Sequence, residues 1–168
     1  MKLQKNMIKI NRDIKPGTYL LDDIFDGLKH SPILMEVFET KNELDDVFSK
    51  TNVLVEEKDH YMFVKNEDAT IVIGSDHLKN SDSKILYLDI VHELVHVKQQ
   101  RSGLDLYNKS YSYVDRPTEI EAYEVAVKEA KLLGMNDEEI VDYLFVEWIT
   151  PQEHKRLVSH VGLNIRNI

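Results

Sequence analysis

The 168-residue chain has the length and composition of one globular domain, with 42% hydrophobic and 30% charged residues. It contains no cysteine, which excludes disulfides, thiolate metal ligands and a cysteine nucleophile, so a metal would have to be held by histidine and carboxylate. The formal net charge of −9, with Lys and Arg scattered, argues against a nucleic-acid partner, and the absence of a long apolar run or signal-peptide core predicts a cytoplasmic protein without a membrane partner.

The first half of the chain predicts helices followed by a small sheet. In residues 1–50, apolar side chains fall at helical spacing from Thr18 onward, which favours N-terminal helices. Residues 51–74 contain three short runs rich in β-branched and aromatic residues, separated by polar, turn-like triplets. This pattern predicts a three-stranded antiparallel meander made of residues 53–55, 60–64 and 69–73.

The second half predicts four further helices. Residues 84–134 would form two metal-binding helices, the first ending at Arg101 and the second beginning near Asp115. Residues 137–168 would form two C-terminal helices, and a capping box at Thr150 opens the last of them. The large apolar residues expected in the core of this segment are Leu144, Phe145 and Trp148.

A metal-binding motif lies within the first of the metal-binding helices. His92-Glu-Leu-Val-His96 places two histidines four residues apart, about 6 Å along a helix and about 40° past one turn, so both imidazoles project from one face. Zinc binds imidazole nitrogen at about 2.0–2.1 Å in a tetrahedral set that can leave one position for water. Glu93 lies beside the first ligand and could accept a proton from that water, as a general base does. The apolar flanks of the motif predict a buried helix, in which such side chains are costly without partners.

The third ligand has to come from the second helix, because the next histidine in the chain is the distant His154. Glu121 is the preferred candidate, since the small Ala122 beside it allows the two helices to approach closely. Glu124, one turn further on, and Glu119 remain alternatives.

A capping role is the competing explanation for Glu121. Thr118 and Glu121 have the spacing of a capping box, in which Glu121 would accept from the backbone at the helix start. Asp115 can cap the same helix one turn earlier, however, and this leaves Glu121 free to bind a metal.

The HELVH motif and the downstream Glu-Ala pair on a second helix resemble the gluzincin branch of the zincin metallopeptidases. The likeness also includes the order of elements, and it covers roughly Val53 to Leu133. It implies an α+β, zincin-like fold in a minimal single-domain form, 1–168, with a small antiparallel three-stranded sheet packed on the HExxH helix. It further implies that the strand near Thr70–Ile73 lines the cleft and pairs with an extended peptide or protein substrate.

The same resemblance implies a zinc-dependent peptidase and assigns the roles of its residues. The zinc ligands would be His92, His96 and Glu121, and Glu93 would be the general base. Many gluzincins have an aspartate one turn after the glutamate ligand, where this chain has Val125. Asp89, three residues before His92, is a possible substitute for orienting a ligand histidine.

An oxyanion formed during hydrolysis needs a hydrogen-bond donor in addition to the metal. The sequence does not select one among its candidates. They are Tyr107, Tyr111, Tyr113, Tyr123, His154, Arg156 and His160.

Three other hypotheses compete with an active zinc peptidase. The alternative is a zinc-binding, zincin-fold domain without peptidase activity that acts as a regulator or partner-binding module, although a purely structural site needs no base at Glu93. The chain could also be a latent peptidase whose residues 1–16 cover the cleft, or it could bind no metal. Two histidines and a carboxylate suit iron as well as zinc, but a glutamate directly after the first histidine favours hydrolysis.

Overall fold

A computed structural model describes residues 8–59 and 61–165, which form an α+β fold. The strands in these residues are β1 (Lys9–Ile10), β2 (Gly17–Leu20), β3 (Phe25–Asp26), β4 (Asn52–Glu56), β5 (Met62–Val64) and β6 (Ile71–Gly74). The helices are α1 (Leu21–Ile24), α2 (Pro32–Phe38), α3 (Lys41–Lys50), α4 (Ser75–Asn80), α5 (Ser83–Arg101), α6 (Pro117–Leu132), α7 (Asp137–Tyr143) and α8 (Pro151–His160). Short 3₁₀ turns lie at Leu28–His30 and Tyr113–Asp115. Among the described helices, none combines the length and apolar character needed to cross a membrane.

The main sheet has four strands in the order β2-β4-β6-β5. β4 and β6 are parallel, whereas β2 pairs with β4 and β5 pairs with β6 in antiparallel fashion. The predicted three-stranded antiparallel meander is therefore wrong. β6 lies between the two strands that precede it, and a fourth strand joins from the N-terminal segment. His60, predicted to begin the second strand, lies outside the described residues.

The N-terminal segment, expected to be helical, is only partly so. β1 and β3 form a separate two-stranded sheet, and β2 and the short α1 lie between them in the chain. Leu21 and Ile24 of α1 are fully buried, so their apolar spacing does mark a core face. Gly27 has a φ of 87°, a left-handed conformation that interrupts a right-handed helix. The predicted helical run is thus broken before α2.

α5 lies at the centre of the molecule and carries the HELVH motif. Its N-cap is Asp82, whose carboxylate accepts from the backbone N–H of Lys84. Every residue from 90 to 97 is buried. The described residues form two hydrophobic clusters, and α5 contributes side chains to each of them. α6 packs along α5. The small side chains of Ala122, Ala126 and Ala130 are fully buried, and their size permits this close approach.

The C-terminal helices differ from the prediction at one point. α7 ends at Tyr143 rather than at Trp148. Leu144 is buried as expected, but Phe145 is 49% exposed and Trp148 is 51% exposed. The expectation that these two residues belong to the core is wrong, because the chain leaves the helix and turns them toward a cleft. The capping box at Thr150 is confirmed as the start of α8.

Candidate metal centre

His92, His96 and Glu119 bring three potential ligand atoms together; we call them the metal triangle. The two Nε2 atoms of His92 and His96 are 3.1 Å apart. Oε2 of Glu119 lies 3.2 Å from Nε2 of His92 and 3.3 Å from Nε2 of His96. Ligands about 2.0–2.1 Å from a tetrahedral ion are separated from one another by roughly 3.3–3.4 Å. The separations of the three buried side chains come within about 0.3 Å of this value, so the group could hold a metal ion.

The structure brings Glu119, one of the two alternatives, to the histidines in place of the preferred Glu121. Glu121 is exposed, and its Oε1 accepts a hydrogen bond of 3.1 Å from Nε2 of Gln99. Glu124, the other alternative, is also exposed. Only Glu119 of these three carboxylates joins the two histidines.

The position of Glu119 follows from the face that α6 turns toward α5. Pro117 is the first helical residue after the N-cap Arg116, so the helix begins two residues later than expected. Glu119 lies three residues before Ala122 and seven before Ala126, which places it on the same helix face as these buried residues. This spacing was present in the sequence and identifies Glu119, whereas a small residue directly after Glu121 does not define a helix face.

Gln99, a residue the sequence reasoning missed, holds His96 in place. Its Oε1 accepts from Nδ1 of His96 at 2.7 Å, and its Nε2 donates to the carbonyl of Thr118 at 2.9 Å. A proton on Nδ1 leaves the Nε2 lone pair of the neutral ring available to a metal. Gln99 thus orients a ligand and links α5 to the start of α6. Its position one turn after His96, on the same face of the helix, is the feature of the sequence that could have identified it as a partner of that histidine.

Asp89 does not orient His92, contrary to the expectation. Its Oδ2 lies 2.8 Å from Nε2 of His77, and its Oδ1 accepts from the hydroxyl of Tyr143 at 3.0 Å. Within the described residues, Nδ1 of His92 has no hydrogen-bond partner. The imidazole instead packs against the ring of Tyr123, with centroids 4.2 Å apart. The ring of His92 is therefore positioned by this packing and by Glu119 at Nε2, and not by a carboxylate at Nδ1.

Glu93 is buried and lines the same cleft as the metal triangle. Its Oε2 has no hydrogen-bond partner among the described residues. Burial raises the pKa of Glu93 well above its usual range, because the charged form has lost its hydration. An ionised Glu93 would therefore need a cation nearby. Glu93 thus lies in the cleft beside the metal triangle, and its role as a general base stays a prediction.

The metal triangle is electrostatically coupled. Burial opposes the charged form of His96, but Glu119, Glu93 and Gln99 together raise its pKa to about 9. Burial lowers the pKa of His92, with the neighbouring His96 adding to the effect. Although burial alone would raise it, the pKa of Glu119 is held well below its usual range by the two histidines. A metal ion bound here would compete with protons for the two histidines and Glu119.

A cleft of about 620 Å³ opens onto the metal triangle and Glu93. Three of the seven oxyanion-donor candidates line it, namely Tyr107, Tyr113 and Tyr123, whereas Tyr111, His154, Arg156 and His160 do not. Nε2 of His154 bonds to the carbonyl of Val141, and Arg156 and His160 both contact Asp115. These partners give the two histidines and Arg156 structural roles away from the cleft.

The sheet edge at the cleft is β5, not the strand near Thr70–Ile73 that was expected there. β6 is hydrogen-bonded on both sides, so its backbone has no edge to offer a substrate. β5 is the terminal strand of the sheet, and its residues Met62 and Phe63 line the cleft. An extended segment would therefore meet β5.

Residues 8–16, which belong to the segment considered as a cover for the cleft, lie elsewhere. β1 pairs with β3, and Ile14 is part of the hydrophobic core. Arg12 donates to the backbone carbonyls of Leu78 and Ser81. None of these residues lines the cleft. Residues 1–7 lie outside the described part of the chain.

Comparisons of this chain with protein-family models, with curated proteins and with solved structures found no match. The likeness to zincin metallopeptidases is therefore carried by residues 92–96 and by a carboxylate on the following helix.

Proposed function

We propose that this chain is a zinc-dependent peptidase with a zincin-like arrangement, in which His92, His96 and Glu119 bind the metal and Glu93 is the general base. The observation that carries the proposal is the metal triangle, whose 3.1–3.3 Å sides are close to the separation of ligands around zinc. Two features add support. The triangle borders an open cleft, and the carboxylate of Glu93 lies in that cleft with an unpartnered oxygen.

A bound zinc ion would supply Lewis acidity, which lowers the pKa of a water molecule and polarises the substrate carbonyl. Glu93 then accepts a proton from the attacking water at its carboxylate. It passes that proton to the amine nitrogen as the peptide bond breaks, which is the usual double role of one acid–base residue. Burial by itself favours the protonated form of Glu93, so a bound cation would be needed to keep its carboxylate ionised as a base.

The Tyr113–Tyr123 pair is the best-placed donor to a developing oxyanion. Tyr107 is committed, because its hydroxyl donates to the carbonyl oxygen of Val64. The hydroxyls of Tyr113 and Tyr123 lie 2.7 Å apart and share one hydrogen bond, so one of their two protons remains for a ligand. Burial raises the pKa of both tyrosines well above the usual range, which keeps them protonated as donors.

The substrate we infer is an extended peptide that adds to the part of the β5 edge left free by Tyr107, whose hydroxyl already donates to the carbonyl of Val64. Main-chain hydrogen bonds to an edge strand recognise any extended sequence, and side-chain pockets then set the preference. The exposed rings of Phe145 and Trp148 border the cleft and offer apolar contact for such side chains.

The peptidase activity is tested with a Glu93→Gln variant and a broad peptide library. Wild type and variant are loaded with zinc, their metal content is measured, and cleavage is followed by mass spectrometry. We expect the variant to bind zinc like wild type and to cleave on the order of 100-fold or more slowly, since a general base contributes about 10²–10⁴. Glu124→Gln, at an exposed position on α6, is the matched control and should cleave normally. If zinc-loaded wild type cleaves no better than Glu93→Gln, the chain is a zinc-binding domain without peptidase activity.

A further inference from the structure

Arg116 is the one Arg or Lys among the described residues that line the cleft, and it has no anionic partner. Six acidic residues line the same cleft, namely Asp59, Asp89, Glu93, Glu119, Asp142 and Glu147. Arg116 nevertheless forms no ion pair with any described carboxylate, and its contacts are with two aromatic rings. Its Nε is buried and has no hydrogen-bond partner in the described residues.

Two tyrosines hold the guanidinium in position. Its Cζ lies 5.9 Å from the ring centroid of Tyr107 and 5.8 Å from that of Tyr113, which is within range of a cation–π interaction. Both rings are anchored at their hydroxyls, Tyr107 by Val64 and Tyr113 by Tyr123. Ring faces constrain the plane of a guanidinium but do not use its N–H groups. The donors of Arg116 therefore remain for another partner.

The chemistry of these donors selects a carboxylate. Arg116 lines the cleft and has no carboxylate partner among the described residues, so an anionic ligand there would gain charge-assisted hydrogen bonds from its guanidinium. The planar fork of a guanidinium matches a carboxylate with two parallel N–H···O bonds. Arg116 is the N-cap of α6, one turn before Glu119, so a carboxylate held there would lie close to the metal triangle.

The acidic residues of the cleft do not oppose this assignment as strongly as their number suggests. Asp89 is partnered by His77 and Tyr143, and Glu119 is partnered by the two histidines of the metal triangle. Glu147 lies beside Tyr61 and raises the pKa of its hydroxyl. Three of the six acidic residues thus interact with other side chains, whereas Arg116 has no carboxylate partner among the described residues.

We propose that Arg116 binds a carboxylate group of the substrate and thereby selects peptides that carry one near the bond to be cleaved. The carboxylate can be a free C-terminus or an Asp or Glu side chain, and both present the same group. That the bound molecule is a substrate rests on the proposed peptidase function. The carboxylate site itself rests only on the position and unpartnered state of Arg116, so the two can fail separately.

The single tryptophan of the chain, Trp148, gives a direct measure of binding. It lines the cleft with its ring 5.7 Å from that of Tyr113, which in turn contacts Arg116. The probes are N-benzoylglycine, which has an aromatic ring and a carboxylate, and N-benzoylglycinamide, which lacks the charge. Dissociation constants are measured by fluorescence titration of wild type without zinc, and of zinc-loaded Glu93→Gln, in which cleavage does not interfere.

We expect the acid to bind about 10- to 100-fold more tightly than the amide, with or without zinc, as charge-assisted hydrogen bonds imply. Arg116→Gln should abolish this preference. Arg116→Lys keeps the positive charge but loses the planar guanidinium, so it should retain a small part of the preference for the acid. It also controls for a folding defect in Arg116→Gln. Arg156→Gln is the matched control, because Arg156 is paired with Asp115 and does not line the cleft.

Two results would overturn the assignment. One is equal binding of acid and amide by wild type. The other is a preference that appears only with zinc and survives Arg116→Gln, because the carboxylate would then be bound by the metal. A chain that cleaves no peptide but keeps the Arg116-dependent preference refutes the peptidase and retains the carboxylate site. Peptides ending in a free acid or an amide, and peptides with internal Asp or Asn, then identify which carboxylate is recognised.

Discussion

Two histidine–carboxylate clusters involve α5, and they differ in how their polar atoms are satisfied. The first, which we call the closed network, consists of His77, Ser81, Asp89 and Tyr143. Nδ1 of His77 lies 2.6 Å from Oγ of Ser81, and Nε2 lies 2.8 Å from Oδ2 of Asp89. Tyr143 donates to the other oxygen of Asp89 at 3.0 Å. Both ring nitrogens and both carboxylate oxygens thus have protein partners.

In the metal triangle, by contrast, the potential ligand atoms face one another. Nε2 of His92, Nε2 of His96 and Oε2 of Glu119 lie within 3.3 Å of each other. Nδ1 of His96 has a hydrogen-bond partner in Gln99, whereas Nδ1 of His92 has none among the described residues. A buried histidine–carboxylate pair is therefore not by itself a metal site. The convergence of several lone pairs on one point is what distinguishes the metal triangle.

The closed network also shows why composition alone does not assign catalysis. Ser81, His77 and Asp89 have the residue types of a serine-hydrolase triad. Ser81 is not among the residues that line the cleft, however. It is the C-cap of α4, the helix that contains His77, and its hydroxyl contacts that histidine. The network joins α4, α5 and α7, which is a structural role.

The largest effect that separates the clusters is expected from Glu119→Gln. The amide keeps the shape of the side chain but removes an anionic ligand, so zinc affinity should fall by more than about 100-fold, given that loss of an outer hydrogen-bond partner alone costs about 10- to 100-fold. Zinc affinity is measured by competition with a chromophoric chelator. Glu121→Gln, two residues further on, should retain nearly full affinity. A large loss of zinc affinity in Glu121→Gln and none in Glu119→Gln would show that Glu121 is the third ligand.

A smaller loss is expected from Gln99→Ala. Without Oε1 of Gln99, Nδ1 of His96 loses its acceptor and the ring its orientation, so zinc affinity should drop by about 10- to 100-fold. Gln100→Ala is the control, because that neighbour donates to the carbonyl of Asn66 instead. Equal zinc affinities for the two variants would show that Gln99 does not orient the ligand.

In the closed network, Tyr143→Phe should affect stability and not the metal. The change removes one hydrogen bond to Asp89, so the free energy of unfolding should fall by about 0.5–1.5 kcal/mol. Urea denaturation measures this loss, and the chelator competition should give an unchanged zinc affinity. A tenfold weaker affinity for zinc would mean that the two clusters are coupled.

The smallest effect is expected at a third, exposed cluster, where Asp115 contacts Arg156 and His160 of α8. Ser112, Arg156 and His160 hold the pKa of Asp115 well below its usual range. A carboxyl whose pKa is lower in the folded than in the unfolded state contributes stability above the unfolded pKa and loses it as the pH falls through the folded pKa. Because the group is exposed, Asp115→Asn should cost only about 0.2–1 kcal/mol at pH 7.

The difference between Asp115→Asn and wild type should shrink as the pH falls below about 4, where the unfolded carboxyl becomes protonated. Urea denaturation at a series of pH values checks this trend. A difference that grows toward acidic pH has the wrong sign and would contradict the assigned ion cluster.

The site was more predictable from sequence than the sheet. His92, Glu93 and His96 follow from a fixed four-residue spacing on a helix, and the structure brings both histidines together. The third carboxylate depends on which face of α6 meets α5. The buried Ala122 and Ala126 mark that face, and Glu119 lies on it, three residues before the first of them.

The sheet depends on pairings that local patterns do not report. β2 pairs with β4 across more than thirty residues, and β4 pairs in parallel with β6, with β5 lying between them in the chain. Runs separated by short turns favour a meander, because adjacent strands usually pair. The helical spacing that includes Leu21 and Ile24 marked the buried residues correctly, but it did not distinguish a short helix flanked by strands from a long one.

Metal content is the most direct test of the central claim, because every proposed role of Glu93 depends on an ion at the metal triangle. Purified wild type and Glu119→Gln are incubated with zinc, freed of excess by gel filtration and measured by elemental analysis. The metal triangle predicts one zinc ion per wild-type chain and much less in the variant. Substantially less than one zinc ion per wild-type chain, or equal amounts in both proteins, would contradict it.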